Sequence, residues 1–291
     1  MVIYFVKALK RLGLLKTINF QVKKKHNKTV INIPLINGIG LTNLILKNEW
    51  LDELIKVFVT GTSGTFVDVG VNIGQTLIRL KTVLPNQNYI GFEPNSTCVS
   101  YTQQLIALNK FRDCIIQNCA LSTKVENLIL EKTSSTDPRA SVVASLRPSF
   151  FEVKEPVLSL DYQSLYIDIP ISLVKIDVEG AELEVLIGMK EALIKYQPLI
   201  TCEVLDSYSE EVLEFTLERA RQVSEFLSAI DYCIIQLQTR DNNIIAFKEL
   251  KQITVKQWTI ESYDYNDYMF CPMANRSFVV DKLNEICQNS N

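Results

Sequence analysis

The sequence predicts an α/β fold: a mostly parallel sheet with helices on both faces. Three observations carry that reading. From Gly64 to about Gln236, short apolar runs alternate with stretches of helical periodicity. Strands separated by helices are joined by crossovers, which leaves neighbouring strands parallel. Two of the runs end in an acid and a glycine just before a helix, the turn expected at the carboxyl edge of such a sheet. The chain of 291 residues, 47% of them hydrophobic, is also long enough to bury one large core.

The elements follow in order. Met1–Leu15 mixes apolar residues with Lys7, Lys10 and Arg11 and reads as a short amphipathic helix packed on its own domain. Its apolar run Val2–Val6 is too short for a signal sequence. The basic run Lys23, Lys24, Lys25, Lys28 reads as a solvated turn, and Thr29–Ile33 as a short strand closed by Pro34. Trp50–Val59 has the spacing of a helix, which completes a lead-in over residues 1–60. Strands are then predicted at Thr65–Val69, Gln87–Phe92, Cys114–Asn118, Leu173–Asp177, Leu199–Glu203 and Tyr232–Gln236. Helices are predicted at Gln75–Val83, at Ser96–Asn109 with Ser96 as N-cap, at Ala181–Met189 and at Glu210–Ile230. Val125–Glu131 is expected to extend or pair as a hairpin, and residues 132–155 to form an irregular functional loop. The aromatic tail from Trp258 is expected to add a last strand and a lid, so residues 61–291 form one domain.

Composition excludes several classes. A net charge of −3 and a pI near 5.5 offer nucleic acid no overall attraction. Seven cysteines, an odd number with no C-x-x-C pair, read as reduced thiols in a cytoplasmic protein. The single histidine, His26, rules out a Cys/His zinc site of standard spacing, and any Ser-His-Asp triad that His26 does not serve. No stretch approaches the length of a transmembrane helix.

The chemistry gathers at strand ends. In Phe66-Val67-Asp68-Val69-Gly70-Val71-Asn72-Ile73-Gly74 an apolar strand enters a D-x-G-x-N-x-G turn. Gly70 allows the sharp turn, and Gly74 allows the following helix to pack closely on the strand. Asn72 stands where a dinucleotide site wants glycine, and its side chain would crowd a diphosphate. Asp68 lies where a carboxylate can meet an amine or a water network. Glu93, at the tip of the next strand in Gly91-Phe92-Glu93-Pro94-Asn95, can accept both hydroxyls of a ribose. In Val174-Lys175-Ile176-Asp177-Val178-Glu179-Gly180, Asp177 and Glu179 are spaced to share one face near the strand tip, with Lys175 close enough to pair with one of them. Two such carboxylates can orient a sulfonium, hold a divalent cation or take a proton from a hydroxyl. Glu203, at the end of the next strand, can join them. The plainer alternatives are a tight turn without ligand, a surface Glu93, and Glu179 with Glu182 as acids favoured by a helix N-terminus.

The segments FVDVGVNIG, GFEPN, NCALS, LVKIDVEGAELEVLIGM and ITCEV, in this order and spacing, resemble the FkbM-type methyltransferases. The likeness runs from about Trp50 to Asp206, and the tail element YMFCP fits loosely. Val71 departs from the family's usual alanine and is expected to face the core. The resemblance implies a Rossmann-like class I methyltransferase fold with a seven-stranded, mostly parallel sheet. It implies S-adenosylmethionine as cofactor and O-methylation of a sugar, a glycan or a small natural product. Carried onto this chain, Asp68, Gly70, Asn72 and Gly74 shape the methionine pocket, Glu93 binds the ribose with Asn95 beside it, and Asn118, Ala120 and Leu121 lie near the adenine. Asp177 and Glu179 stand at the transfer site.

With one histidine far upstream, the base for an acceptor hydroxyl is expected to be Glu179 or Asp177. No metal is expected, and Asp177 with Glu203 is the pair that would hold one. Arg139 and Arg147 in the long loop can reach an anionic group on an acceptor, although arginines there are ordinarily solvated. The rivals are an NAD-dependent oxidoreductase, disfavoured by Asn72 and by the lack of Tyr-x-x-x-Lys, and a non-catalytic relative that binds a partner or an adenosine ligand. Nucleic-acid methylation lacks both a basic face and an N-P-P-Y-like motif.

Overall fold

The computed structural model describes residues 17–47, 49–143, 153–165 and 167–290. The expected helix at Met1–Leu15 and Arg147 lie outside them. The chain opens with a hairpin, β1 (Phe20–His26) and β2 (Thr29–Leu35), followed by helices α1 (Leu41–Ile45) and α2 (Trp50–Phe58). The α/β region runs β3 (Thr65–Val69), α3 (Gln75–Val83), β4 (Tyr89–Phe92), α4 (Ser96–Asn109) and β5 (Cys114–Gln117). Three strands then leave the main sheet: β6 (Ala120–Leu121), β7 (Glu126–Lys132) and β8 (Val153–Leu160). The chain returns through β9 (Ile171–Ile176), α5 (Glu182–Gly188), α6 (Lys190–Tyr196), β10 (Leu199–Glu203) and α7 (Leu213–Ala229). It closes with β11 (Tyr232–Arg240), β12 (Asn243–Leu250), β13 (Asp267–Pro272) and α8 (Arg276–Ser290).

The main sheet has the order β12-β11-β13-β10-β9-β3-β4-β5. The run from β10 to β5 is parallel, and β13 inserts antiparallel between β10 and β11. This is the Rossmann-like class I methyltransferase fold, and all seven expected strands are in the sheet. An eighth, β12, pairs with β11 at the edge. Winding reverses between β3 and β9, so their carboxyl ends open a crevice at the switch point. Buried side chains pack on both faces: Val67, Val69, Val174 and Ile200 on one, Phe66, Leu173, Leu199 and Met269 on the other.

Several local expectations are corrected. Lys23, Lys24 and Lys25 lie within β1 rather than in a turn, and Lys24 Nζ donates to the carbonyl of Asn43 at 3.2 Å and to that of Leu46. Pro34 does not close β2, which runs on to Leu35. A two-stranded ribbon is all edge, so a strand there tolerates the missing N–H. Asn95, not Ser96, caps α4: its side chain accepts from Thr97 N at 3.1 Å. The loop 132–155 is only partly irregular, because β8 starts at Val153 and pairs antiparallel with β7.

The lead-in is joined to the α/β region by a buried polar network. Asp52 on α2 accepts from Arg79 Nη1 at 2.6 Å and from Asn27 Nδ2 at 3.0 Å, and its Oδ1 lies 3.1 Å from His26 Nε2. His26 thus serves this network. Burial alone would raise the Asp52 carboxyl, but His26, the Glu49 N–H and Arg79 together hold it well below the usual carboxylate range. Asp52→Ala strips a carboxylate from an almost fully buried guanidinium. It is expected to cost about 3–5 kcal/mol in chemical denaturation, and a loss below about 1 kcal/mol would contradict this account.

Candidate active site

The site starts from strand register. Asp68 on β3 and Lys175 on β9 are direct neighbours across a parallel pair, and Thr201 on β10 is the next in the row. All three therefore project on the same face of the sheet. Lys175 Nζ lies 2.9 Å from Asp177 Oδ2, 3.7 Å from Asp68 Oδ1 and 3.5 Å from the carbonyl of Gly70. Burial alone would lower the Lys175 ammonium, but Asp177 and Asp68 outweigh it and hold the pKa above its ordinary value.

Asp68 is fully buried and does not line the cavity at the strand ends. Tyr89 Oη donates to its Oδ2 at 2.6 Å, whereas its Oδ1 has no hydrogen-bond partner. Burial pushes its pKa up to about 6 against the pull of Lys175. Gly74 is likewise off the cavity wall: a Cβ there would meet Leu105 at 3.1 Å and Thr102 at 3.3 Å. The close packing it permits is of α3 against α4, not against the strand. Gly70 is the turn glycine in the stricter sense, with φ 89° and a Cβ position 1.8 Å from the carbonyl oxygen of Asp177. Only its missing side chain lets the tips of β3 and β9 meet. Val71 is buried, as expected, and packs where Gly91 leaves room, since a Cβ at 91 would stand 2.4 Å from Val71 Cγ2.

Asn72 takes a left-handed conformation, φ 48°, and its N–H donates to Glu93 Oε2 at 2.7 Å. The N–H of Asn95 donates to the other oxygen at 2.8 Å. Two backbone donors from two loops thus fix the plane of the Glu93 carboxylate, whose remaining lone pairs are open to a ligand. Burial pushes the Glu93 pKa up to about 7, against the lowering effect of these two N–H groups. Asn118 does not line the cavity; it donates to the carbonyls of Glu93 and Pro94 at 3.0 and 3.1 Å and braces the tip of β4. Asn95 is off the wall as well, whereas Ala120 and Leu121 are on it.

Asp177, Glu179 and Glu203 present carboxylate oxygens all within 4.8 Å of one another. The sequence places Asp177 and Glu179 together by strand alternation, but β9 ends at Ile176. The convergence comes instead from a left-handed Glu179, φ 55°, whose carbonyl accepts from Ser141 Oγ at 2.9 Å. A non-glycine residue in that region is strained, and such strain concentrates at functional sites. Glu182 faces away: it lies on α5 and accepts from Gly180 N at 2.7 Å. Burial, Asp177 and Asp267 push Glu203 well above its ordinary pKa, and Asp267 rises to about 7 through burial and Asp177.

These side chains enclose a cavity of about 470 Å³, within the range of small-molecule sites. Sequence reasoning missed part of its wall: Glu49 and Trp50 from the lead-in, Gln75, Thr76 and Arg79 from α3, and Asp137 from the long loop. The alternating helix pattern held no cue that the lead-in would close over the strand ends. Among the described lining residues, Glu49, Glu93, Asp137, Asp177, Glu179, Glu203 and Asp267 face only two cations, Arg79 and Lys175. Arg79 is committed to Glu49 and Asp52, and Lys175 to Asp177. Such a wall suits a ligand carrying positive charge and repels a diphosphate.

Residues 68–233, more than half of the chain, match the Methyltransferase FkbM domain. The chain belongs to the FkbM methyltransferase family. Membership assigns it to the methyltransferases, in keeping with the fold. No curated protein matches it significantly. Among solved structures it is similar to the methyltransferase FkbM of Methylobacillus flagellatus KT, with 16% identity over 77% of this chain and a TM-score of 0.46. The chain spans 48% of that protein's length. It is similar to the Bacillus cereus O-methyltransferase in complex with SAH at 13% identity, over 76% of this chain and 77% of that one, with a TM-score of 0.42. It is similar also to the O-methyltransferase TomG of Streptomyces achromogenes in complex with SAM at 12% identity, over 76% of each chain, with a TM-score of 0.39. Among the described residues, no helix is long and apolar enough to cross a membrane.

Gly70→Ala forces a side chain against the Asp177 carbonyl and a residue with a Cβ into positive φ. In thermal or denaturant unfolding it is expected to lose at least about 1–3 kcal/mol, the cost of the backbone strain alone. A neutral effect would mean that the two strand tips are not in contact.

Proposed function

We propose that this chain transfers the methyl group of S-adenosylmethionine to a hydroxyl of a sugar, a glycan or a small natural product. The observation that carries the reading is the carboxylate-rich cavity at the switch point, with Glu93 held in fixed orientation in its wall. S-adenosylmethionine fits that wall: its sulfonium and ammonium supply positive charge where carboxylates outnumber cations. When bound, it supplies an electrophilic methyl group. The Glu93 carboxylate is placed to accept the ribose hydroxyls, with Ala120 and Leu121 offering apolar surface for the adenine. Lys175 neutralises Asp68 and Asp177 and holds the latter to one side.

The base is Glu179 or Asp177, the latter held at 2.9 Å by the ammonium of Lys175. That base would take the proton of the acceptor hydroxyl, while the carbon–sulfur bond of the donor breaks and S-adenosylhomocysteine leaves. Glu203 stands beside it, its pKa raised by burial and by its acidic neighbours. The trio Asp177, Glu179 and Glu203 also has oxygen donors of the kind a divalent cation takes. Lys175 already meets the charge on Asp177, so transfer is expected to proceed without added metal.

Three outcomes are expected. Glu179→Gln lowers the rate of labelled methyl transfer by about 10²–10⁴-fold with cofactor affinity kept, and an unchanged rate would reassign the base. A chelator leaves the rate intact, whereas its loss and recovery with Mg²⁺ would establish the metal. Cofactor affinity falls as pH drops below about 7, because protonation competes with the ribose for Glu93. Calorimetry from pH 8 to pH 6 checks this, with the slope flattened in Glu93→Gln.

A further inference from the structure

A second cavity of about 530 Å³ adjoins the first, and Glu179 and Glu203 stand in both walls. Its floor is apolar, with Val204, Ala220 and Val223 buried beneath it. Its rim carries Trp258 and Tyr263, edge to face with centroids 5.5 Å apart. The rim is built into the fold. Ser207 and the strand-like segment before Trp258 exchange backbone hydrogen bonds at 2.8 Å, and Asp206 accepts from Lys256 N at 2.9 Å and from Ser262 Oγ at 2.7 Å.

Two features say what enters. Asn266 lines this cavity at 4% exposure, and its side-chain Nδ2 has no hydrogen-bond partner. A buried amide donor left unpaired costs about 1–3 kcal/mol, which a ligand oxygen would recover. The walls also disfavour an anion. Among the described residues Glu179, Glu203 and Asp206 line it, Arg219 is paired with Glu184, and Arg139 lies 3.6 Å from Asp137. An apolar floor, an aromatic rim and one amide donor together match an uncharged ring with an apolar face and oxygen substituents.

We propose that the second cavity is the acceptor subsite, and that Asn266 selects an uncharged oxygen-bearing ring by donating its amide to one ring or hydroxyl oxygen. The inference rests on the methyl-transfer reading, since the shared wall of Glu179 and Glu203 is where the acceptor hydroxyl meets the donor. Trp258 and Tyr263 cover the exposed face of the ring. An acceptor phosphorylated near the reacting hydroxyl is rejected by the acids that line the passage.

The chain has two tryptophans, Trp50 in the first cavity and Trp258 in the second. Trp50→Phe leaves Trp258 as the sole indole, and Trp258→Phe leaves Trp50. With S-adenosylhomocysteine at saturation, a series of methyl hexopyranosides is titrated into Trp50→Phe, alongside glucose 6-phosphate. The expected result is a saturable change in Trp258 emission with at least one glycoside, at least about tenfold weaker for the phosphate. Asn266→Leu in the same background weakens it about tenfold. No response to any glycoside, equal binding of the phosphate, or an unchanged affinity in Asn266→Leu overturns the proposal. The response of Trp50 to S-adenosylhomocysteine in Trp258→Phe is read separately. Its failure counts against the donor assignment alone, and its persistence in Asn266→Leu with Trp258→Phe shows that the site is still folded.

Discussion

The site depends on one buried cation. Lys175, in the middle of the sheet, sets its ammonium between Asp68 of the neighbouring strand and Asp177 two residues on, with the Gly70 carbonyl in reach. Without it, the tips of β3 and β9 would bring carboxylates together in a desolvated place with nothing to offset them. With it, the two tips can close, provided that residue 70 has no side chain. The turn glycine and the lysine are therefore two halves of one constraint.

From that constraint the chemistry of the cavity follows. Lysine is satisfied within the protein, so Glu203 and Asp267 above it face the cavity with no further cation among the described lining residues except Arg79, which is itself paired. Their raised pKa values, where resolved, express the same shortage of positive charge. A ligand bearing a sulfonium relieves it, and a diphosphate would deepen it. Electrostatics thus separates two adenosine-containing cofactors that an acid at a strand tip alone cannot.

Much of this was legible in the residues. Periodicity placed six of the seven strands of the expected sheet, because strands buried on both faces read as short apolar runs between helices, and the aromatic tail pointed to the seventh. The acids at strand ends were visible for the same reason: polar residues that close apolar runs stand out. Asp68 was legible as a residue but not as a position, since alternation on β3 turns it toward Tyr89 and Lys175 rather than the cavity. Asn118 and Asn95 read as ligand contacts and are braces, because the hydrogen bonds that engage them come from loops with no sequence signature. Glu49, Trp50 and Arg79 were not legible at all. Their arrival at the strand ends is set by tertiary contacts through Asp52 and His26, which link positions far apart in the chain.

The most direct test of the account is a calorimetric titration of the full chain with S-adenosylhomocysteine and, separately, with NAD at the same pH and salt. A carboxylate-walled cavity with an oriented Glu93 predicts saturable binding of the thioether and no measurable heat from the dinucleotide. Saturable binding of NAD with silence from S-adenosylhomocysteine would contradict it, because the diphosphate would then have found positive charge that the cavity does not offer.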